Sequence, residues 1–129
     1  MEPLVTVIVA TYNWSTLLPY SIGSALRQTF RDFELLVVGD GCTDDSEEVV
    51  SSLGDPRVRW INLSKNSGHQ SGPNNEGLRQ ARGRIIAYLG HDDLWLPHHL
   101  SVLVGALDRE RADVAHGMMV CVGPEDRFL

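Results

Sequence analysis

The sequence predicts an α/β domain with a largely parallel sheet flanked by helices, and three observations carry that expectation. Apolar runs rich in β-branched residues, LVTVIVA (4–10), FELLVV (33–38) and RIIAYL (84–89), have the length of strands. They show little polar alternation, as strands covered on both faces do. Segments with helical spacing separate these runs, so strand and helix alternate along the chain. Each run then gives way to a polar break: TYN at 11–13, GDG at 39–41 and GHDD at 90–93.

The elements follow in order. Leu4–Ala10 is the first strand, interrupted by Thr11 to Trp14. A helix is expected from about Ser15, with Pro19 tolerated in its first turn and Leu18, Ile22, Ala25 and Leu26 on one face. Phe33–Val38 is the second strand. Asp44 and Glu47 have the spacing of a helix start, Val49, Val50 and Leu53 form a short stripe, and Gly54 ends it. Val58–Leu63 alternates as a strand nearer an edge. NSGHQSGPNN (66–75) is a polar, Gly-rich loop, from which Pro73 opens a weak helix to Ala81, closed by Gly83. Arg84–Leu89 is another strand. Pro97 starts a helix with Leu96, Leu100, Leu103, Val104 and Leu107 on one face, and strand character returns from Asp113. No repeat or linker divides the chain, so residues 1–129 are expected to form a single domain.

Composition narrows the function classes. Hydrophobic residues make up 43% and charged residues 22%, enough for a core and against disorder. The net charge of −6 argues against a general nucleic-acid binder, which needs a basic face. Eight acids fall between Asp32 and Asp55 without a Lys or Arg among them, the pattern of a solvated helix face and loop. Cys42 and Cys121 are far apart and fit reduced thiols in a cytoplasmic domain. The start, MEPLVTVIVA, lacks a basic segment and reads as a strand rather than a signal peptide. No run approaches the roughly 18 apolar residues of a membrane span. The segment GMMVCVGPEDRFL finishes just after an apolar run, as expected of a domain truncated at its C-terminus. Its stretch Met118–Val122 then offers apolar surface through which a homodimer could form.

The polar breaks carry the chemistry. Parallel strands place their C-terminal ends on one rim, where ligands of open α/β sheets bind. Thr11-Tyr12-Asn13, Gly39-Asp40-Gly41 and Gly90-His91-Asp92-Asp93 therefore converge from three separate stretches. Asp92 and Asp93 repel each other unless a cation offsets them, and carboxylate oxygens favour Mg²⁺ or Mn²⁺ beside a substrate phosphate. Taken alone, the pair reads better as loop or helix-cap residues, and the flanking strand and the shared rim reverse that balance. Asp40 between two glycines can accept hydrogen bonds from a nucleobase or ribose, or close an Asx-turn. Tyr12 can stack on a base or cover the core. His98 and His99 are neighbours on a helix and point apart, which disfavours zinc. His69 reads as exposed. Ser64, Ser67 and Ser71 share the polar loop, and without a Gly-x-Ser-x-Gly elbow or a GxxxxGK[ST] loop neither a hydrolase triad nor a P-loop has support.

VTVIVATYNW, SALRQTF with DFELLVVGDGCTDDS, and GLRQARGRIIAYLGHDDLWLPHHL together resemble the family 2 glycosyltransferases of the Rossmann-like GT-A fold. The resemblance runs from about Leu4 to Val122. It implies an inverting, hexosyltransferase-type transfer from a nucleotide-diphosphate sugar, a UDP-sugar first among them, helped by Mn²⁺ or Mg²⁺. By position, Tyr12 packs on the nucleobase with Ala10 and Thr11 beside it, Asp40 hydrogen-bonds the base, and Asn13 and Asn75 belong to the nucleotide site. Asp92 matches the metal-binding aspartate, with Asp93 next to it. The family commonly carries acids where this chain has Gly39 and the Gly90-His91 pair, and an Arg where it has Asn74. His91 is then a neutral ligand or a hydrogen-bond donor to phosphate.

The resemblance also implies that the general base and the acceptor-binding half lie beyond residue 129, since Glu125 and Asp126 do not serve as a base. The chain is thus expected to be the nucleotide-sugar-binding domain of an enzyme of polysaccharide or cell-envelope glycan biosynthesis. Its acceptor is a glycan, lipid or protein, and its parent is associated with the membrane or free of it. The alternative is a catalytically incomplete nucleotide-sugar-binding module, whose nucleotide affinity does not respond to metal.

Overall fold

The structure, a computed structural model, describes residues 1–123. Its strands are β1 (Val5–Thr11), β2 (Phe33–Gly39), β3 (Val58–Asn62) and β4 (Ile85–Tyr88). Its helices are α1 (Leu18–Leu26), α2 (Ser46–Ser52), α3 (Ser71–Gln80) and α4 (His99–Glu110). The four strands form one parallel sheet in the order β3-β2-β1-β4. The expected α/β class and the edge position of β3 are both present. The chain runs outward from β1 through β2 to β3, then returns to place β4 on the other side. The strand order therefore reverses at β1, the kind of switch point at which open α/β sheets bind ligands.

Side-chain alternation assigns the two faces. Val5, Val7 and Val9 of β1 join Phe33, Leu35 and Val37 of β2 in the main core, with Leu18, Ile22 and Ala25 of α1, Val50 of α2 and Leu100 of α4. The opposite face is smaller: Ile8, Leu36 and Val38 pack with Ile61 and Ile86 beneath α3. Every residue of β1 and β2 is buried, which is why their sequences are nearly unbroken apolar runs. Thr6 and Glu34 break the apolar pattern of the α3 face. They are buried together, with Thr6 Oγ1 donating to Glu34 Oε1 at 2.8 Å.

Three expectations are corrected. The helix expected from Pro73 begins two residues earlier, at Ser71, so Pro73 lies in its first turn, where its missing N–H has no intrahelical partner to lose. The loop is shortened accordingly, and Asn74 and Asn75 are helical. The helix expected to start at Pro97 starts at His99. Its predicted face is kept only in part, because Leu100 is 2% exposed and Leu96 80% exposed. The strand expected from Asp113 does not form among the described residues, which carry a single bridge at Val122 in this segment. That segment is apolar but borders β4 and α4 without entering the sheet. Glu125 and Asp126 lie outside the described residues.

Candidate functional site

A pocket of about 400 Å³ opens at the C-terminal rim of the sheet, beside the switch point. Its walls come from β1 and the residue after it (Ala10, Thr11, Tyr12), from the residue after β2 (Asp40) and from the turn after β4 (His91). The segment leading into α3 contributes Asn66, Gly68, His69 and Gln70, and the first turn of α3 contributes Pro73. Ala10, Thr11, Tyr12, Asp40 and His91 were all singled out from sequence.

Local bonding explains why these groups converge. Thr11 pairs with Gly39 in register, and the Asp40 N–H donates to Thr11 O at 2.8 Å. Asp40 is 5% exposed, and its Oδ1 accepts the backbone N–H of Ser67 at 3.0 Å. Asn66 Nδ2 donates to Asp40 O at 3.1 Å, so the segment before α3 is fastened directly onto Asp40. Gly41 makes that approach possible. Its φ is 71°, which suits glycine, and a Cβ there would collide with the backbone at Lys65 and Asn66. Tyr12 is 49% exposed on the pocket wall.

His91 closes the other end. Its Nδ1 is hydrogen-bonded to Thr11 Oγ1 at 3.0 Å, and its ring meets Trp14 edge-on at a centroid distance of 4.5 Å. Burial lowers its pKa below the ordinary imidazole value, against the opposing pull of the Asp92 and Asp93 charges. Asp92 and Asp93 are exposed, in a turn closed by the Asp93 N–H on Gly90 O at 3.1 Å. Among the described residues no group of three His, Cys, Asp or Glu side chains gathers in the manner of a complete protein-only metal site. The donor set does fit a hard cation of the kind that takes one or two carboxylates and substrate phosphates. The Asp93 carboxylate lies over Gly90, in space that a Cβ on that residue would fill, and Asp92 Oδ1 lies 3.2 Å from the same point.

The far side of this turn is held by Ser24 of α1 and by Gln28, just past the end of that helix, which the sequence did not announce. Gln28 is fully buried. Its Nε2 donates to Leu96 O at 2.7 Å, and its Oε1 accepts the Leu100 N–H at 2.9 Å. Ser24 Oγ accepts the Trp95 N–H at 3.1 Å. These bonds fasten residues 95–100, and with them the acid turn, to the helix. His98 Nδ1 lies 3.1 Å from Thr29 Oγ1, and His99 stacks on Trp95 at 4.6 Å.

Two expected residues stand elsewhere. Asn13 does not line the pocket. Its φ is 49°, and its Oδ1 accepts the N–H groups of Thr43 at 2.8 Å and Asp44 at 3.3 Å, tying the β1 loop to the β2 loop. Asn75 is exposed within α3 and is likewise absent from the pocket wall. The helix begins too early for it, and Pro73 of the same turn lines the wall instead. The residues that sequence reasoning missed, Asn66, Gly68, His69 and Gln70, carried one readable signal. Asn66-x-Gly68 has the form of a fixed turn, in which Asn66 Oδ1 accepts the Gly68 N–H at 2.8 Å.

Comparison with known proteins decides the family. The model for glycosyl transferase family 2 matches residues 6–129. The chain belongs to that family. Among curated members, the succinoglycan biosynthesis protein ExoO of Rhizobium meliloti is 37% identical over 98% of this chain and 36% of its own length. The Escherichia coli UDP-Glc:alpha-D-GlcNAc-diphosphoundecaprenol beta-1,3-glucosyltransferase WfaP is 32% identical over 84% of this chain and 43% of its own. Among solved structures, S. aureus TarS 1-349 in complex with UDP-GlcNAc superposes with a TM-score of 0.80 at 28% identity, over 88% of this chain and 33% of that one. The mannosyltransferase PcManGT from Pyrobaculum calidifontis, in complex with GDP-Man and Mn²⁺, gives 0.75 at 27% identity, over 83% of this chain and 33% of that one. The family member described here thus has the Rossmann-like GT-A fold. It spans less than half the length of these curated relatives.

Proposed function

We propose that this chain is the donor-binding part of an inverting, metal-assisted hexosyltransferase that draws a sugar from a nucleotide-diphosphate sugar, with a UDP-sugar as the leading candidate. One observation carries the reading: the strand ends at Thr11-Tyr12, Asp40 and His91 wall a single pocket at the switch point. In this reading Tyr12 stacks on the base, and Asp40 Oδ2 accepts a base N–H while Oδ1 stays on Ser67. His91, held by Thr11, faces the diphosphate. Asp92 and Asp93 would hold Mn²⁺ or Mg²⁺, which supplies charge neutralisation to a diphosphate leaving group. The acceptor, a glycan, lipid or protein hydroxyl, needs a base within hydrogen-bond reach. That base and the acceptor site are assigned to sequence beyond residue 129. Polysaccharide or cell-envelope glycan synthesis suits the names of the relatives, and a cytoplasmic donor pocket beneath a membrane-associated parent suits the chemistry.

A second reading, a nucleotide-sugar-binding module that does not transfer, is favoured by Gly39 and Gly90, which stand where the family commonly carries acids. Calorimetry with UDP, in Mn²⁺ and in EDTA, separates the two. The transferase reading expects Mn²⁺ to tighten binding about tenfold or more, with that gain lost in Asp92→Ala. It expects Tyr12→Ala to weaken binding in both conditions. Equal affinity in EDTA selects the module, and no affinity for UDP or GDP rejects both.

A further inference from the structure

Trp14 is held from both sides by its neighbours in the chain. Before it, Asn13 has a φ of 49°, and Asn13 Oδ1 accepts the N–H groups of Thr43 at 2.8 Å and Asp44 at 3.3 Å. After it, the Ser15 N–H donates to Asp44 Oδ2 at 3.1 Å. The Trp14 carbonyl accepts the N–H of Leu17, the N-cap of α1, at 3.1 Å. Residues 13 and 15 are thus pinned to the loop after β2, and Trp14 itself is tied to the start of α1. The side chain between these fixed points is 43% exposed. A rigid aromatic ring on a fixed backbone loses little conformational freedom when a ligand lies on it.

The order of the strands places this ring relative to the pocket. Asp40 follows β2, Tyr12 follows β1 and His91 follows β4, and these three strands lie side by side in that order. Trp14 is not on the pocket wall, but its ring meets the His91 ring edge-on at a centroid distance of 4.5 Å. His91 is held in turn by Thr11 Oγ1 at 3.0 Å. With a base beside Asp40 and Tyr12 and a diphosphate at His91, the next group along the rim is the sugar. The exposed indole stands beside His91 at that end. A pyranose presents C–H bonds on its ring faces and hydroxyls at its edge. The C–H face suits the negative face of an aromatic ring and leaves the hydroxyls to water.

We propose that Trp14 is the platform for the donor sugar, on whose indole one face of a pyranose stacks while the diphosphate lies at His91. The proposal rests on the reading of the pocket as a nucleotide-diphosphate-sugar site. It makes Trp14 a residue that selects for the sugar and leaves recognition of the nucleotide to the pocket wall.

The test uses the whole chain as wild type, Trp14→Ala, Trp14→Leu and Trp14→Phe, with thermal melts to confirm folding. Binding of UDP, UDP-Glc and UDP-GlcNAc is measured by calorimetry in Mn²⁺. Trp14→Ala and Trp14→Leu are each expected to weaken binding of the tighter sugar nucleotide about fivefold, and to change UDP affinity by less than about twofold. Trp14→Phe is expected to keep most of the sugar-nucleotide affinity. Leucine keeps apolar bulk against His91 without an aromatic face, so a Trp14→Leu variant that binds like wild type overturns the proposal. Equal losses on UDP and on the sugar nucleotides also overturn it, because Trp14 then acts only through His91. A wild type that binds UDP but neither sugar nucleotide overturns the proposal alone and leaves the nucleotide site in place. A wild type that binds none of the three overturns the donor-site reading and the proposal with it.

Discussion

Glu34 shows how one residue can hold two crossovers together. It lies in β2, 3% exposed, where the strand pattern calls for an apolar side chain. Burial works to raise its pKa, but hydrogen bonds from the Arg82 side chain and backbone and from Thr6 outweigh it, and the carboxyl ends below its ordinary value. Oε1 accepts from Thr6 Oγ1 and the Arg82 N–H, both at 2.8 Å, and Oε2 accepts from Arg82 Nη2 at 2.6 Å and Arg59 Nη1 at 3.3 Å. Thr6 Oγ1 in turn accepts the Gly83 N–H at 2.8 Å. The two arginine side chains are 53% and 36% exposed, which screens the charge contribution. The buried hydrogen bonds matter more. Glu34→Gln places an NH₂ group among donors and is expected to lower stability by about 2 kcal/mol, read from the urea midpoint. A change within about 0.5 kcal/mol would show that the network contributes nothing net. The sequence did not reveal this network, nor the buried Gln28, because partners 48 and 72 positions away leave no periodic trace. The pocket residues at strand ends were readable because strand ends are local. Asn13 and Asn75 do not line that pocket, because side-chain direction at a loop or helix start depends on φ and on where the helix begins.

Among the elements, α3 departs most from its sequence signal. Its face is poor in apolar residues, and it contains glycine and proline, yet it packs on β1 and β2. The reason is closeness rather than area. A Cβ on Gly77 would lie 2.7 Å from Ile8 Cγ2 and 3.1 Å from Ile8 Cδ1. Gly77→Ala is therefore expected to destabilise by about 1–3 kcal/mol, despite a helix-propensity gain of about 1 kcal/mol. Gly105 in α4 is the control, since a Cβ there meets nothing within 4 Å. Gly105→Ala is expected to stabilise by about 0.5–1 kcal/mol. Thermal melts of the pair check both signs, and a stable Gly77→Ala would mean that α3 does not sit tightly on Ile8. The strongly periodic elements β1, β2 and α1 were legible because burial on all sides forces their composition. The strand expected from Asp113 was not, because an apolar run becomes a strand only where a neighbour offers its edge.

At the scale of the whole molecule, acid is expected to act in two stages. Burial lowers the pKa of His91 and His99 below the ordinary 6.5. Because the folded value lies below the unfolded one, their contribution to stability is complete above pH 6.5 and is lost as the pH falls through the folded values. The carboxyls of Glu34, Asp44 and Asp55 are also lowered, so their contribution is present above their ordinary values of 4.5, 3.8 and 3.8 and disappears at lower pH. The melting temperature should fall between pH 7 and 5 and again below about pH 4.5. His99→Phe should flatten the first step and leave the second. A first step unchanged by that substitution would assign it elsewhere.

The two ends of the pocket hang from different parts of this molecule. Residues 66–70 are fastened to Asp40 at the end of β2, whereas the acid turn is fastened through residues 95–100 to Ser24 of α1 and to Gln28 just beyond it. Neither fastening passes through the other. A lineage can therefore rebuild one wall by substitution or loop exchange while the opposite wall keeps its shape. In evolutionary terms the two walls are separate units of inheritance, so under the proposed donor-site reading one scaffold can acquire a new base preference without relearning how to hold a diphosphate.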